Sequence, residues 1–381
     1  MFITKPSNLP IGLDISNNSI KMAQIKKSGN GIKIQALGKT EMPNGIIENG
    51  EIKNKKIFLQ TIHDTLNKPI YGSFFGNEVV ACLPESKTYI ELLKINKSSN
   101  KLEDILENEI EKYFPFQLND IYYDWQKIDE TSNIINVLVG ASEKNTVNHY
   151  TDILNAAKLS ISALEIESTA ICRALLLEEA PKSTLKQFKN YAIIDIGASR
   201  TNMIIYSKNT IALSISIPIS GNDITIQIAN ILEINREQAE KAKIICGLDE
   251  SIAKGIIKKI LSETLNKLID RIKSGVDFFH ANFKERGPIS EIILSGGGAN
   301  IKDLNKIISD SLAINTNIGN VFTHFNKVFS EKFTKNLIET HNLTIDSIKD
   351  AQNVNMSIKQ NSSTGYATAI GLSLRELFIN K

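Results

Sequence analysis

Cysteine is scarce in this chain of 381 residues: Cys82, Cys172 and Cys246 lie far apart and are odd in number. That spacing excludes a disulfide framework and a paired-cysteine zinc site, and it fits a reducing compartment. A surplus of one charge is missing too. Lys and Arg number 44 against 42 Asp and Glu, a formal net charge of +2. Too few basic residues are left over to neutralise a run of phosphates, so no nucleic-acid partner is expected. No uninterrupted apolar stretch reaches the roughly 18 residues that a membrane helix needs. The opening MFITKPSNLPIGLDIS has no basic-then-apolar leader. The reading is therefore a cytoplasmic protein without direct membrane insertion. The P-loop pattern is absent, and the one glycine triplet lacks the dinucleotide spacing G-x-G-x-x-G.

What is present is an ordinary globular balance, 42% hydrophobic and 23% charged, in a chain long enough for two or three domains. Short β-rich runs alternate with helix-period segments, which predicts an α/β fold. Strands are expected within 11–37, at Val79–Leu83 before Pro84, after PFQLND, and over 134–141 and 161–166. Helices are expected over 55–68, 101–113, 144–157 and 168–179. The polar stretch 180–190 marks a major boundary. Beyond it, strands are expected at 191–196, 203–206, 213–217 and 291–294, with helices over 223–232, 236–246 and 251–284 and another from about Ile301. Residues 320–364 are polar and read as extended loops with one helix. The chain ends in ATAIGLSLRELFINK, an amphipathic helix pattern followed by no linker and separate membrane-binding helix.

One pattern occurs twice, half a chain apart. Asp14-Ile-Ser-Asn-Asn-Ser-Ile-Lys-Met22 and Asp195-Ile-Gly-Ala-Ser-Arg-Thr-Asn-Met203 each place an Asp at a strand end, then a polar turn, then a second apolar strand. A tight polar tip aims backbone N–H groups and small hydroxyls outward, as a phosphate cradle does. The neighbouring carboxylate can hold a hydrated Mg²⁺. Two related halves carrying such tips would grip a polyphosphate across a cleft. Taken alone, either tip is equally an ordinary β-hairpin turn.

Other segments carry chemistry more weakly. In ILSGGGAN, Gly296, Gly297 and Gly298 permit close backbone approach before a helix N-terminus, although a strand-to-helix turn also uses glycine. Asn235 and Gln238 form a capping box closed by Gly247. On that helix Glu240 and Lys243 share a face, suited to ribose hydroxyls or simply to solvent. Glu167, with Ser168 or Thr169 as a cap, sits at a strand end where a carboxylate can orient an attacking water or merely stabilise the helix start.

In this order the segments resemble the actin-like ATPase superfamily. DISNNSIKM and DIGASRTN resemble its phosphate motifs, ILSGGGANI its adenosine motif, and IESTAICRA and YATAIGLSLREL its connecting helices. QAEKAKIICG resembles the ribose-contacting helix of MreB and FtsA. Within it, the opening IGLDISNNSIKMAQI, then MPNGIIENGEIKN, EIEKYFPFQLNDIYYDW and VGASEKNTVNHYTDILNAAKLSISALEIES, resemble the PilM family of type IV pilus assembly proteins.

The resemblance implies an actin-like fold, two related lobes around a nucleotide cleft with an FtsA/PilM-type inserted subdomain. The first lobe would take 1–85 and 164–190, the insert 86–163, the second lobe 191–365 and a connecting helix 366–381. ATP and Mg²⁺ are the implied cofactors. Asp14 and Asp195 match the metal-associated aspartates. Ser16, Asn17, Asn18, Ser19 and Lys21 match the first phosphate loop, with Ser16 where the family usually has Gly. Gly197, Ala198, Ser199, Arg200 and Thr201 match the second. Gly221, Glu240, Lys243, Gly296, Gly297, Gly298 and Asn300 complete the nucleotide contacts, and Glu167 with Asp14 would serve catalysis, at most a slow ATPase. The implied role is a cytoplasmic scaffold that binds the cytoplasmic N-terminal peptide of a PilN-like inner-membrane protein, which recruits it to the membrane's inner face. Pilus motor ATPases and a homo-oligomer are further implied partners. The alternatives are a sugar- or acetate-type kinase of the same superfamily, for which no substrate cluster stands out, and an FtsA-like filament protein.

Overall fold

Alternating apolar residues open the chain as a meander: β1 (Ile11–Ser16), β2 (Ser19–Ser28) and β3 (Gly31–Glu41) run antiparallel in succession. The computed structural model describes residues 8–29, 31–98, 101–177, 189–322, 325 and 363–379. After the meander come a small hairpin, β4 (Ile47–Glu48) and β5 (Glu51–Ile52), then α1 (Lys55–Asn67), β6 (Tyr71–Gly72), β7 (Glu78–Leu83) and β8 (Thr88–Asn96). Next are α2 (Leu102–Tyr113), β9 (Ile121–Glu130), β10 (Ile134–Glu143), α3 (Lys144–Ala156), β11 (Ser160–Ile166) and α4 (Glu167–Leu175). The later part holds β12 (Tyr191–Ile196), β13 (Thr201–Ser207), β14 (Thr210–Ile217), α5 (Gly221–Leu232), α6 (Arg236–Cys246) and α7 (Ile256–Asn282). It continues with β15 (Glu291–Ser295), α8 (Leu304–Leu312) and β16 (Thr316–Ile318), and the described residues close with α9 (Ala367–Ser373) and α10 (Glu376–Ile379).

The chain divides into two units. Among described residues the first holds 8–177, 321–325 and 366–379, and the second holds 189–320 and 363–365. The first unit is built on a six-stranded sheet of order β11-β7-β1-β2-β3-β6, with β1, β7 and β11 parallel. Period-two alternation sorts its two faces. Ile11, Leu13, Val79, Ala81 and Leu83 pack with Phe58 and Ile62 of α1 and with Tyr150, Ile153 and Leu154 of α3. On the other face, Val80 and Cys82 pack with Ala170 of α4 and Leu372 of α9.

Glycine lets this second face close. A Cβ on Gly12 would stand 1.9 Å from the Ala369 carbonyl oxygen, and one on Gly371 would stand 1.9 Å from that of Ala170. α9 is thus pressed onto β1 and α4 onto α9. All seven residues of α9 are buried, which corrects the expectation of an amphipathic helix: the polar face starts only beyond it, at Arg375 and Glu376. Arg173 makes a two-point ion pair with Glu165 at 2.9 and 3.0 Å and also donates to the Gly371 carbonyl, while Arg375 donates to Glu165 at 2.9 Å. One carboxylate therefore ties β11 to α4 and to the turn after α9.

Between β7 and β11 the chain makes a separate three-stranded sheet, β8-β10-β9, whose Leu93, Ile95, Val137 and Val139 cover Leu106 and Ile110 of α2. β8 had no counterpart in the sequence reading. α3 and the first residues of β11, within the 86–163 assigned to the insert, pack with the six-stranded sheet, where Tyr150, Ile153 and Leu154 join the cluster of Ile11 and Phe58.

The second unit has a five-stranded sheet of order β14-β13-β12-β15-β16, with β12 and β15 parallel. α7 starts at Ile256, five residues later than read, after a short 3-10 turn at Ala253–Gly255. α8 starts at Leu304 rather than about 301, because Asp303 takes a left-handed conformation (φ 63°) that breaks the helix before it begins. Among the described residues no helix is long and apolar enough to cross a membrane. The loops expected over 320–364 lie almost wholly outside the described residues, as does most of the 180–190 boundary.

Candidate functional site

Each unit carries one copy of the strand–Asp–turn–strand pattern. In the first, Asp14 lies near the end of β1, directly across from Lys21 of β2. The Lys21 ammonium donates to Asp14 Oδ2 at 3.0 Å, and both side chains are largely buried. A buried carboxylate needs such a cation. Asn17 and Asn18 form the tip, and Ser16 Oγ donates to the Ser19 carbonyl oxygen at 2.9 Å. Ser16 stands in ordinary strand backbone, so the position tolerates a side chain where the family usually has Gly.

Glu167 opens α4, with Thr368 of α9 donating to its Oε1 at 3.1 Å. Neither Ser168 nor Thr169 caps the helix; the N-cap is Ile166, and the Thr169 hydroxyl turns back to the Ile166 carbonyl. Burial pushes the Cys82 thiol well up, and the charges of Asp14 and Glu167 push it further. Burial also raises the Tyr366 hydroxyl, with Glu41 and Asp14 adding to it. The Cys82 thiol itself packs with Ala170 of α4 and Leu372 of α9, the two helices that carry Glu167 and Thr368. Thr368 was missed by the sequence reading; its signal is a hydroxyl inside an otherwise small and apolar run.

In the second unit the tip is longer. The Gly197 N–H donates to the Arg200 carbonyl at 2.9 Å, and a Cβ on Gly197 would meet that same oxygen at 2.9 Å. Ala198, Ser199 and Arg200 are exposed. Asp195 pairs in register with Asn202 on one side and Ser295 on the other. Asn202 Oδ1 and Ser295 Oγ are buried with no hydrogen-bond partner among the described residues. Arg200 donates to Ser216 Oγ at 2.9 Å, and Thr201 to the Ile219 carbonyl at 2.6 Å.

The other predicted residues of this unit gather around the same strand end. The carbonyls of Gly197 and Ala198 accept the N–H groups of Gly221 and Asn222 at 3.0 and 2.9 Å, which seats the start of α5 on the loop. The Ser220–Asp223 capping box fixes that start. On α6, itself opened by the Asn235–Gln238 capping box and stopped at Gly247, Glu240 and Lys243 pair at 2.8 Å. Lys243 points inward, 5% exposed. Its ammonium donates to the Gly221 carbonyl at 3.1 Å, to Thr225 Oγ1 at 2.9 Å and to Glu240 Oε2.

Gly296 (φ 77°) and Gly298 lie against Ile196, where a Cβ on Gly298 would stand 2.2 Å from Ile196 Cγ2. Gly297 faces open space, and Asn300 donates to its carbonyl at 3.2 Å. The triplet runs into a 3-10 turn, Gly297–Asn300, rather than straight into a helix.

These residues fit a magnesium nucleotide. Gly297 faces open space and Ala198, Ser199 and Arg200 are exposed, so a ligand can come close to this end of the sheet. The orphaned atoms beside Asp195 suit the waters of a hydrated ion, which Mg²⁺ keeps. No cluster of three or more metal-ligating side chains occurs among the described residues, so these residues offer no all-protein metal cage.

Comparisons with known proteins bear on the family and the fold. A family model described as type IV pilus assembly protein PilM matches residues 12–377. A solved PilM–PilN type IV pilus biogenesis complex holds a chain with a TM-score of 0.75 at 20% identity, covering 97% of this chain and 99% of that one. MreB5 of Spiroplasma citri, solved with AMPPNP, superposes with a TM-score of 0.51 at 14% identity over 90% of this chain and 99% of its own. In sequence, the cell division protein FtsA of Staphylococcus epidermidis is 24% identical over 257 residues, which is 61% of this chain and 53% of that protein. The chain thus spans about half the length of that relative.

Proposed function

The chain belongs to the family of type IV pilus assembly protein PilM, and from that premise we propose a nucleotide-dependent scaffold that binds the cytoplasmic tail of a PilN-like membrane protein. The observation that carries this reading is the family match over 12–377. The partner is supported by the PilM chain of similar fold solved as a PilM–PilN complex. The nucleotide is supported by MreB5, of the same fold, solved with AMPPNP.

In this reading ATP binds with Mg²⁺. The loops at 16–21 and 197–201 take the phosphates, Asp14 and Asp195 hold the ion's waters, and Glu240 takes the ribose. Gly296 to Gly298 and Asn300 lie along the nucleoside. Glu167, held by Thr368, orients a water if hydrolysis occurs, and turnover is slow and regulatory. Nucleotide state then biases one conformation over another and so governs the grip on the peptide. The protein works in the cytoplasm and reaches the membrane through that partner.

Two measurements test it. Titration calorimetry with Mg-ATP is expected to give heat with the wild type and none with Asp14→Ala; a silent wild type removes the nucleotide part. A synthetic N-terminal peptide of a PilN-like protein is expected to retain the chain on beads, and absence of retention with and without ATP removes the scaffold part. The FtsA similarity favours a second reading, a filament former. Light scattering that rises on adding ATP and lipid would put that reading first.

A further inference from the structure

Among the described residues the Glu240 carboxylate is held asymmetrically. Oε2 accepts from both Lys243 and Thr225, while Oε1 takes no protein donor. The side chain as a whole is 44% exposed, so the anchored oxygen faces protein and the other is left for a ligand.

The Thr225 hydroxyl has one proton and two acceptors within reach, the Gly221 carbonyl at 2.8 Å and Glu240 Oε2. Lys243 already supplies the Gly221 carbonyl. The carboxylate is the stronger acceptor, so the proton goes there. Lys243 meanwhile matches its three N–H donors to three acceptors and has none left for a nucleoside.

We propose that Thr225 and Lys243 are positioning residues that lock Glu240 so that Oε1 alone accepts a hydroxyl of the ligand's sugar. This deepens the nucleotide reading and rests on it. It also moves Lys243 from contacting the ribose to holding the group that does. Because Gly221 is seated on Gly197, the same lock is tied to the second loop. The sequence reading did not single out Thr225, a buried hydroxyl next to Ile224 and near Ile228 on α5.

The test measures affinity for Mg-ATP and for Mg-2′,3′-dideoxy-ATP, which lacks both sugar hydroxyls, by calorimetry on the full chain. One hydrogen bond to a charged acceptor predicts about a tenfold preference of the wild type for ATP. Thr225→Val keeps the shape and is expected to lower that preference to about twofold, while Thr225→Ser restores it. Glu240→Ala removes the preference altogether. Thermal melts of each variant separate this from misfolding, since a merely structural Thr225 would weaken both nucleotides alike. An unchanged preference in Thr225→Val, or a parallel loss for both nucleotides, overturns the proposal. So does a wild type that binds both equally, and in that case the nucleotide reading survives. A wild type that binds neither overturns both.

Discussion

The hairpin of the first unit and the hairpin of the second share one sequence pattern and solve its electrostatic problem differently. Asp14 is 3% exposed, and its cross-strand neighbour is the cation Lys21. Asp195 is only partly buried, and its cross-strand neighbour is the neutral Asn202. The first tip is the pair Asn17–Asn18, whereas the second is the longer Gly197–Arg200. The strands behind them differ as well. Two residues before Asp14 stands Gly12, pressed by α9; two residues before Asp195 stands Ile193, a full-sized buried side chain. The first hairpin is therefore packed into the frame of its sheet, and the second carries the more exposed tip.

The largest effect that follows is at Gly12. Gly12→Ala puts a methyl 1.9 Å from the Ala369 oxygen and 2.6 Å from the Ser373 nitrogen. Backbone cannot yield there as a side chain would, so the cost is expected to be at least about 3 kcal/mol. Urea unfolding checks it; a loss below about 1 kcal/mol would mean that α9 is not seated on β1 as described. Next comes Lys21→Met, which leaves Asp14 buried without its counter-ion. Breaking a fully buried pair costs roughly 3–5 kcal/mol, and the partial exposure of Lys21 brings this down to about 2 kcal/mol. Rescue by the double variant Lys21→Met with Asp14→Leu would identify the uncompensated charge as the cause; a double variant no more stable than the single one would not.

Much of this was legible in the sequence. Period-two alternation marked β1, β2 and β14, an apolar run marked β12, and Asn235 with Gln238 announced a capping box that the structure contains. The repeated Asp could be seen because it interrupts apolar runs. β8 was overlooked, although Thr88–Asn96 does alternate in burial over its first half; Pro84 and the short turn after it drew the reading to a stop. α9 misled for another reason. Its Thr368 and Ser373 look solvent-facing in sequence but are buried, with Ser373 donating to the Pro10 carbonyl at 2.8 Å and Thr368 to Glu167. A helix pressed between a strand and another helix has no polar side, and only its packing partners reveal that. The inward turn of Lys243 was hidden likewise, since spacing puts Glu240 and Lys243 on one face without saying that the ammonium already has three protein acceptors.

A smaller effect is expected at Asp195. Asp195→Asn keeps the size at a position that is only partly buried, so stability should change by less than about 1 kcal/mol. Its Mg-ATP affinity should still fall about tenfold if the carboxylate holds the ion's waters. A stability loss as large as that of Lys21→Met would erase the distinction between frame and loop. An undiminished affinity would leave Asp195 without a part in ligand binding.

The smallest effect belongs to Arg200, and it tests the distinction from the other side. Lys21 and Arg200 are both cations near a hairpin tip, but Lys21 is paired with a buried carboxylate while Arg200 is exposed and donates to the hydroxyl of Ser216. Arg200→Ala should therefore change stability by no more than about 0.5 kcal/mol. Its contribution to binding a triphosphate would be that of an exposed charge, attractive over a Debye length of about 10 Å at 0.1 M salt and screened beyond it. The expected result is roughly a threefold loss of Mg-ATP affinity at low salt that shrinks towards none near 1 M, where the Debye length is about 3 Å. Calorimetry across a salt series reads this directly. A loss that ignores salt would mean that Arg200 makes a short, desolvated contact with the ligand, and the second tip would then close on its nucleotide as tightly as Lys21 closes on Asp14.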